Sequence, residues 1–496
     1  MSGGPKKLIL TVIDAMKPAM LERAIQTGRA PALKLLIERG AYVDDCVAAY
    51  PSVTPVCAAS IATGVGPDEH EIPSMNWYHR GEGRYVEYGT SFKASQTFGF
   101  KRSLTDTIYN MNLEHLSSNL ETVFETLDDA DIRTAGTTYL MYRGRHRHEV
   151  TNETALTRLA STVFRHAVYG PREFFYADIF ASRKTGCRAQ LGLPGQRDQH
   201  AGCVGAELVE HDLFDFLLLS LPDNDTHSHR NGPFAQVSSI AAADKQIERL
   251  MHAGGGPEQF LEDYAMIVLS DHSQSQVERE IDLFKAFDGF GLEPPAPPRV
   301  RREGEPPEIA VCPSSRSAMV YVLDRERRAE LVPRIERTAL ALDGVDLVMH
   351  LTDHPDGEAA IRGRRGELRF MPGGTLTDLR GQRWSVEGDL DLLNLSDRDG
   401  QIVSATYPDA LGRVWSALRC RTSAEVLLSA RPGYEFTDWG GDHHVGGGSH
   451  GSLHANDSLG ALLWCGTGPD SAEARAQWSL RDVVPMVREH FGVAAP

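Results

Sequence analysis

Three things are scarce in this chain. It has seven cysteines in 496 residues: Cys46, Cys57, Cys187, Cys203, Cys312, Cys420 and Cys465. They are scattered, odd in number and form no C-x-x-C pair. That pattern argues against a cysteine zinc site or a disulfide framework, and buried, reduced thiols are expected. No run approaches the ~18 apolar residues that span a bilayer. The opening "MSGGPKKLILTVIDAMK" is too short in apolar residues for a secretory signal. A cytoplasmic protein without a membrane partner is expected. Positive charge is the third shortage, with 51 basic against 68 acidic side chains and a formal net charge of −17. Such a chain is a poor partner for a nucleic-acid polymer. A small anionic substrate stays compatible, because a bound metal can outweigh the global field.

What is present reads as an ordinary globular protein, 41% hydrophobic and 24% charged. Several short apolar runs have the look of buried parallel strands, and most stop at a polar cluster. "KLILTVI" (7–13) stops at Asp14, "FDFLLLSL" (214–221) at "PDNDTHSH", and "YAMIVLS" (264–270) at "DH". "LGALLWCG" (459–466) follows "GSHGSLHANDS". Helical patterns such as "PAMLERAIQTG" and "SNLETVFETLDDA" lie between them. Alternating strands and helices predict an α/β fold with a central, mostly parallel sheet flanked by helices. In such sheets the site gathers at the carboxyl ends of the strands.

Residues 275–430 have a different texture. They hold "GLEPPAPPRVRREGEPPE", a helical run "RRAELVPRIERTALALDG" and Gly-rich hairpin-like segments. This predicts an inserted, smaller α+β cap domain. Residues 1–274 and 431–496 would then form the catalytic domain. The closing "SLRDVVPMVREHFGV" is an amphipathic helix expected to pack on the sheet.

The polar residues at strand ends are Asp14, Thr54, Asp225 with His229, Asp271 with His272, and His450. Asp and His together supply the O and N ligands that suit Zn²⁺, and less well Mn²⁺. Any one of them is more often a turn or cap residue; six in equivalent places point to chemistry. Thr54 precedes Pro55, which reads as an N-cap followed by the favoured first helical residue. A helix N-terminus attracts phosphate and stabilises a developing alkoxide. A metal beside it would make the weak threonine nucleophile usable.

The motifs "ILTVID", "PSVTPVCAASIATGVGPDEHEI", "LPDNDTHSHRNGP", "IVLSDHS" and "GGSHGSL" together resemble the alkaline phosphatase superfamily, in its type I phosphodiesterase/nucleotide pyrophosphatase branch. They come in the family's order and cover most of the chain outside the insertion. Thr54, Ser60, Thr63, Gly64, Pro67 and His70 fall on the family's pattern. The resemblance implies an alkaline-phosphatase-like fold and two divalent metal ions. Asp14, Thr54, Asp271 and His272 would surround one, and Asp225, His229 and His450 the other. It also implies hydrolysis of a small phosphoester through a phospho-threonine at Thr54. Asn76 resembles the asparagine that donates to a phosphate oxygen, one residue later than the pattern places it.

The chain departs from the family in "HEI" (70–72), where "HGI" is usual. "PDNDTHSH" offers two D-x-x-x-H pairs, Asp223/His227 and Asp225/His229. The family's histidine stands three residues before Gly-Pro, which selects His229 and so Asp225. His450 is preferred to His454 by its "GxHG" context, and His443 and His444 read as loop residues. "YRGRHRHE" (142–149) reads as a surface loop or a grip for a substrate anion. No arginine stands near the nucleophile motif, which favours a diester over a dianionic monoester. A sulfatase is excluded, because Cys-x-Pro-x-Arg is missing. A phosphate monoesterase, a phosphonoacetate-type hydrolase and, from another class, a non-catalytic metal-containing binding protein are the alternatives.

Overall fold

The computed structural model describes residues 5–151, 166–177, 179–188, 195–295 and 306–494. Most of the Pro- and Arg-rich stretch, 296–305, lies outside the described residues. An eight-stranded sheet runs in the order Ala41–Val47, Leu459–Cys465, Tyr264–Leu269, Lys7–Ile13, Phe216–Leu221, Thr134–Thr137, Glu173–Tyr176, Phe180–Ala181. Lys7–Ile13 pairs in parallel with both Phe216–Leu221 and Tyr264–Leu269. Thr134–Thr137 and Glu173–Tyr176 continue the parallel run, and Leu459–Cys465 is antiparallel to its neighbours. The sheet is mixed α/β and mostly parallel at its centre, as expected.

The central strands are apolar throughout because both faces are covered. Alternate residues then enter different cores. Leu8, Leu10 and Val12 join one core with Val56 and Ile61 of the helix Thr54–Thr63. Ile9 and Ile13 join the other with Leu21 and Leu33, from two early helices, and Ile247 of Val237–Ala253. The last helix, Val483–Phe491, buries Val483, Val484, Met486 and Val487 in the first of these cores.

A second, nine-stranded sheet spans residues 309–430. One of its faces continues the first core through Ala310, Cys312, Met319, Tyr321, Leu347 and Met349. Its other face, with Val311, Val320 and Leu428, packs on Leu331, Ile335 and Ala339 of the helix Arg328–Ala341. The strand Ser275–Ile281 belongs to neither large sheet. It pairs with Gly433–Phe436 and Gly448–Ser449.

A hairpin tip of the second sheet reaches the segment that carries His450. Strands Ile309–Ser314 and Ser317–Val322 are joined by Ser315 and Arg316, with Ser315 at φ 56°. The Arg316 backbone N–H donates to His450 O at 2.7 Å. Gly451 is required here. Its φ is +116°, and a Cβ would meet Ser314 O at 3.1 Å and Arg316 N at 3.2 Å.

The cysteine reading needs one correction. Cys187 and Cys203 form a disulfide across 16 residues, while Cys46, Cys57, Cys312, Cys420 and Cys465 are free and buried. Spacing alone could not show the pair, because the fold brings Cys187 to the helix Arg197–Glu210, which carries Cys203. A disulfide suits an oxidising compartment, so the cysteines no longer support a cytoplasmic location. No helix of the described residues is long and apolar enough to cross a membrane.

Candidate active site

Three adjacent parallel strands deliver three carboxylates to one edge of the sheet. Asp14 follows Lys7–Ile13, Asp271 follows Tyr264–Leu269, and Asp225 lies in the helix Asp223–Asn231 that follows Phe216–Leu221. The ligand atoms of Asp14, Asp271 and His272 lie within 4.8 Å of one another, as do those of Asp225, His229 and His450. His450 Nε2 is 3.9 Å from Asp225 Oδ1, and the rings of His272 and His450 stack at 3.9 Å. The two groups are neighbours along one wall of a cavity of about 490 Å³.

The three histidines share one arrangement. His229 Nδ1 faces Gly448 O at 2.8 Å, His450 Nδ1 faces Ser52 O at 2.8 Å, and His272 Nδ1 faces Ser273 O at 3.1 Å. A carbonyl only accepts, so each Nδ1 carries the proton and each Nε2 keeps its lone pair for the site. His229 Nε2 sits 3.3 Å from Asp225 Oδ2, one helical turn away. Gln274 donates its amide to the Asp225 carboxylate.

The electrostatics call for a cation. Burial, then the facing Asp271 and Asp225 carboxylates, push Asp14 well above the usual carboxylate range. Its Oδ1 is buried without a hydrogen bond. Burial lifts Asp271 to about 6. Burial and the neighbouring His272 drop His450 to about 3. Burial would also raise Asp225, but His229, His450 and His272 outweigh it and hold the carboxylate ionised. Burial would lower His229, but the facing Asp225 outweighs it and raises the imidazole. Carboxylates and imidazoles crowded at common points are the donor set that a divalent cation fits.

Thr54 opens the helix Thr54–Thr63, with Val53 as its N-cap. The expected cap is corrected: the Thr54 side chain makes no capping bond. Its Oγ1 lies 3.3 Å from His272 Nε2, beside the first group. The hydroxyl is aimed at the site because it is not spent on its own helix. His70 is buried at 3.3 Å from Ser60 Oγ and accepts from Ile72 N–H; burial lowers it to about 3. Glu71 takes φ 65°, the left-handed conformation that explains why a glycine is usual there. Arg421 pairs with its carboxylate.

The other candidates lie elsewhere. Asp223 accepts from Arg197 Nε at 2.9 Å, and His227 Nε2 faces Ala235 O at 3.1 Å. His454 caps the short helix Ala455–Ser458. Arg143 and Arg145 of the basic stretch are tied to Glu125, Glu121 and Asp129, so they do not grip a substrate. Asn76 is fully buried with neither amide atom hydrogen-bonded, and Met75 lines the cavity at this point.

Some of the cavity wall escaped the sequence reading. His444 lines it with its ring 4.1 Å from His229, anchored by Glu435 at 3.0 Å. Ser315 enters from the second sheet. Arg197 and Arg230 also line the cavity, which overturns the expectation of no arginine nearby. They come from the helix Arg197–Glu210 and from the end of Asp223–Asn231, far in sequence from the nucleophile motif. Arg230 could have been noticed, since it follows His229.

The pattern of the type I phosphodiesterase/nucleotide pyrophosphatase family matches residues 8–453. The chain belongs to that family. No curated protein matches it. Among solved structures, it is similar to murine ectonucleotide pyrophosphatase/phosphodiesterase 5, inactive and in complex with AMP, at 10% identity and TM-score 0.59, covering 99% of this chain and 96% of that one. It is also similar to phosphonoacetate hydrolase from Sinorhizobium meliloti in complex with phosphonoformate, at 17% identity and TM-score 0.54 with the same coverage. Both are likenesses of fold.

Proposed function

We propose that this family member is a two-metal hydrolase of small phosphoesters, with Thr54 as its nucleophile. One observation carries the reading. The Thr54 hydroxyl opens a helix, is free of capping duty and stands 3.3 Å from His272 of one Asp/His group, on the cavity that Asp225, His229 and His450 of the second group also line. Asp14, Asp271, His272 and Thr54 would hold one ion and Asp225, His229 and His450 the other, most simply Zn²⁺ given the mixed N and O donors. Such ions would supply Lewis-acid charge that favours the threonine alkoxide and offsets charge on the phosphoryl oxygens.

The chain's own groups would do the rest. The helix N-terminus at Thr54 presents its positive end to the developing charge. Thr54 Oγ bonds to phosphorus as the bond to the leaving oxygen breaks; water then attacks phosphorus and releases the threonine. Gln274 keeps the Asp225 carboxylate oriented. Asn76 is retained as the donor to a phosphoryl oxygen, because a buried carboxamide without a partner is the state of a group awaiting one. Residues 275–430 are read as the cap, contributing Ser315 to the cavity wall.

Elemental analysis of the purified protein should find about two Zn²⁺ per chain. Chelation should abolish hydrolysis of aryl phosphoesters, and added Zn²⁺ or Mn²⁺ should restore it. Full activity in metal-stripped protein would refute the proposal.

A further inference from the structure

Two cations in the cavity have no place in the chemistry above. Arg197 is the first residue of the helix Arg197–Glu210, and Arg230 directly follows His229. Arg197 is held along one edge. Its Nε donates to Asp223 Oδ1 at 2.9 Å, and its Nη2 to Thr226 Oγ1 at 2.6 Å and Pro222 O at 3.3 Å. Asp223 is itself fixed by the Asp198 N–H at 3.1 Å, and its own N–H donates to Asp198 Oδ1 at 3.0 Å. The other guanidinium nitrogen, Nη1, has no hydrogen bond among the described residues. Arg197 and Asp14 line the same cavity.

Arg230 is exposed and has neither an ion pair nor a hydrogen bond among the described residues. Other arginines that could have served are committed: Arg80 to Glu425, Arg143 to Glu125, Arg145 to Asp129. In a chain of net charge −17, carboxylate partners are plentiful. An arginine left open on a cavity that also holds the phosphoryl site is placed for an anion brought by the substrate. Guanidinium groups suit planar or tetrahedral oxyanions through paired N–H donors.

We infer that the substrate carries a second anionic group, a carboxylate or a phosphate, beyond the reacting phosphoryl, and that Arg197 and Arg230 bind it. The inference rests on the hydrolase reading and names its substrate class. Arg197 is pre-positioned by Asp223 and Thr226, so little side-chain freedom is lost when the anion arrives. Arg230 swings from the rim and completes the site.

The test uses p-nitrophenyl phosphodiesters whose second arm ends in a carboxylate, a phosphate or a neutral amide of similar length. The wild type should prefer at least one charged arm over the neutral arm by about tenfold or more in kcat/KM, as a charge-assisted hydrogen bond would give. R230A, at an exposed position, and R197A should collapse that ratio toward one. Which charged arm gains identifies the anion. A wild-type ratio near one, or a ratio that survives in both variants, overturns the inference. The hydrolase reading is judged separately on the neutral-arm ester: if T54A retains its rate there, that reading fails whatever the arginines do.

Discussion

Arg316 and Asp457 form an ion pair with both side chains fully buried. Replacing Arg316 by methionine tests how the second sheet supports the site. Arg316 donates from Nε to Tyr434 O at 2.9 Å, from Nη2 to Ala430 O at 3.3 Å, and from Nη1 to the Asp457 carboxylate. Asp457 in turn accepts from Ser452 N at 2.9 Å and from the Ser275 hydroxyl, and its backbone carbonyl accepts from Ser273 N at 2.7 Å. Burial alone would raise Asp457; Arg316, Ser275 and Ser452 outweigh it and keep the group ionised. One pair therefore ties the hairpin tip to the segments carrying His272 and His450.

Arg316→Met strands a buried carboxylate, and removing one partner of such a pair costs about 3–5 kcal/mol. Against a typical stability of about 5–15 kcal/mol, that is a large share. Asp457→Leu should cost a similar amount by stranding the guanidinium. The double variant should be clearly more stable than the sum of the two losses predicts, because no buried charge remains. Urea unfolding gives the stabilities, and metal content gives the local effect. Arg316→Met should also lose metal at sub-denaturing urea, since the His272 and His450 backbones lose their common anchor. If Arg316→Met costs under about 1 kcal/mol, the scale of an exposed pair, and keeps its metal, the anchoring argument fails.

Three further outcomes are expected. Thr54→Ala should lose orders of magnitude in turnover while its urea midpoint barely moves, because the side chain caps nothing; near-normal rates would demote Thr54 to a helix residue. Asp225→Ala and His229→Ala should each remove about one metal per chain and nearly all activity, with Asp223→Ala and His227→Ala milder in metal content, and the reverse ranking in paired metal assays would contradict the donor set. Thiol titration of the denatured, unreduced protein should find five free cysteines, the number left outside the Cys187–Cys203 bond, whereas seven would show that the pair is not formed.

The sheet was legible because its central strands obey the simplest rule available. Lys7–Ile13, Phe216–Leu221 and Tyr264–Leu269 are continuous apolar runs that end at acids, and parallel strands buried on both faces read that way. Asp14, Asp225, His229, Asp271 and His272 were legible because they follow those runs, and the fold brings His450 to them from a Gly-rich loop. The arginines were not, because Arg197 begins a helix that no apolar run announces and Arg230 looks like a helix-end charge. The disulfide was hidden for a related reason: Cys187 and Cys203 meet through tertiary placement. Thr54 is the first helical residue and not the cap its sequence context suggests, because proline at the next position is as compatible with the second helical residue as with the first. Only the side-chain geometry separates the two.

The helix Asp223–Asn231 shows how one short element serves two purposes. Successive residues on a helix are about 100° apart, so Asp223 and Asp225 are separated by about 200° and face opposite ways. Asp225 and His229, four apart, share the face that meets His450. Asp223 turns to the other side, where it engages Arg197 and Asp198. Arg230, seven residues after Asp223, returns to within about 20° of it, on the face that turns to Arg197, and it lines both the catalytic cavity and the neighbouring groove that holds Lys245 and Arg249. The apparent ambiguity of two D-x-x-x-H pairs in "PDNDTHSH" is thus a division of labour. One pair would supply donors to the site. The acid of the other fixes the arginine that would receive the substrate's second charge.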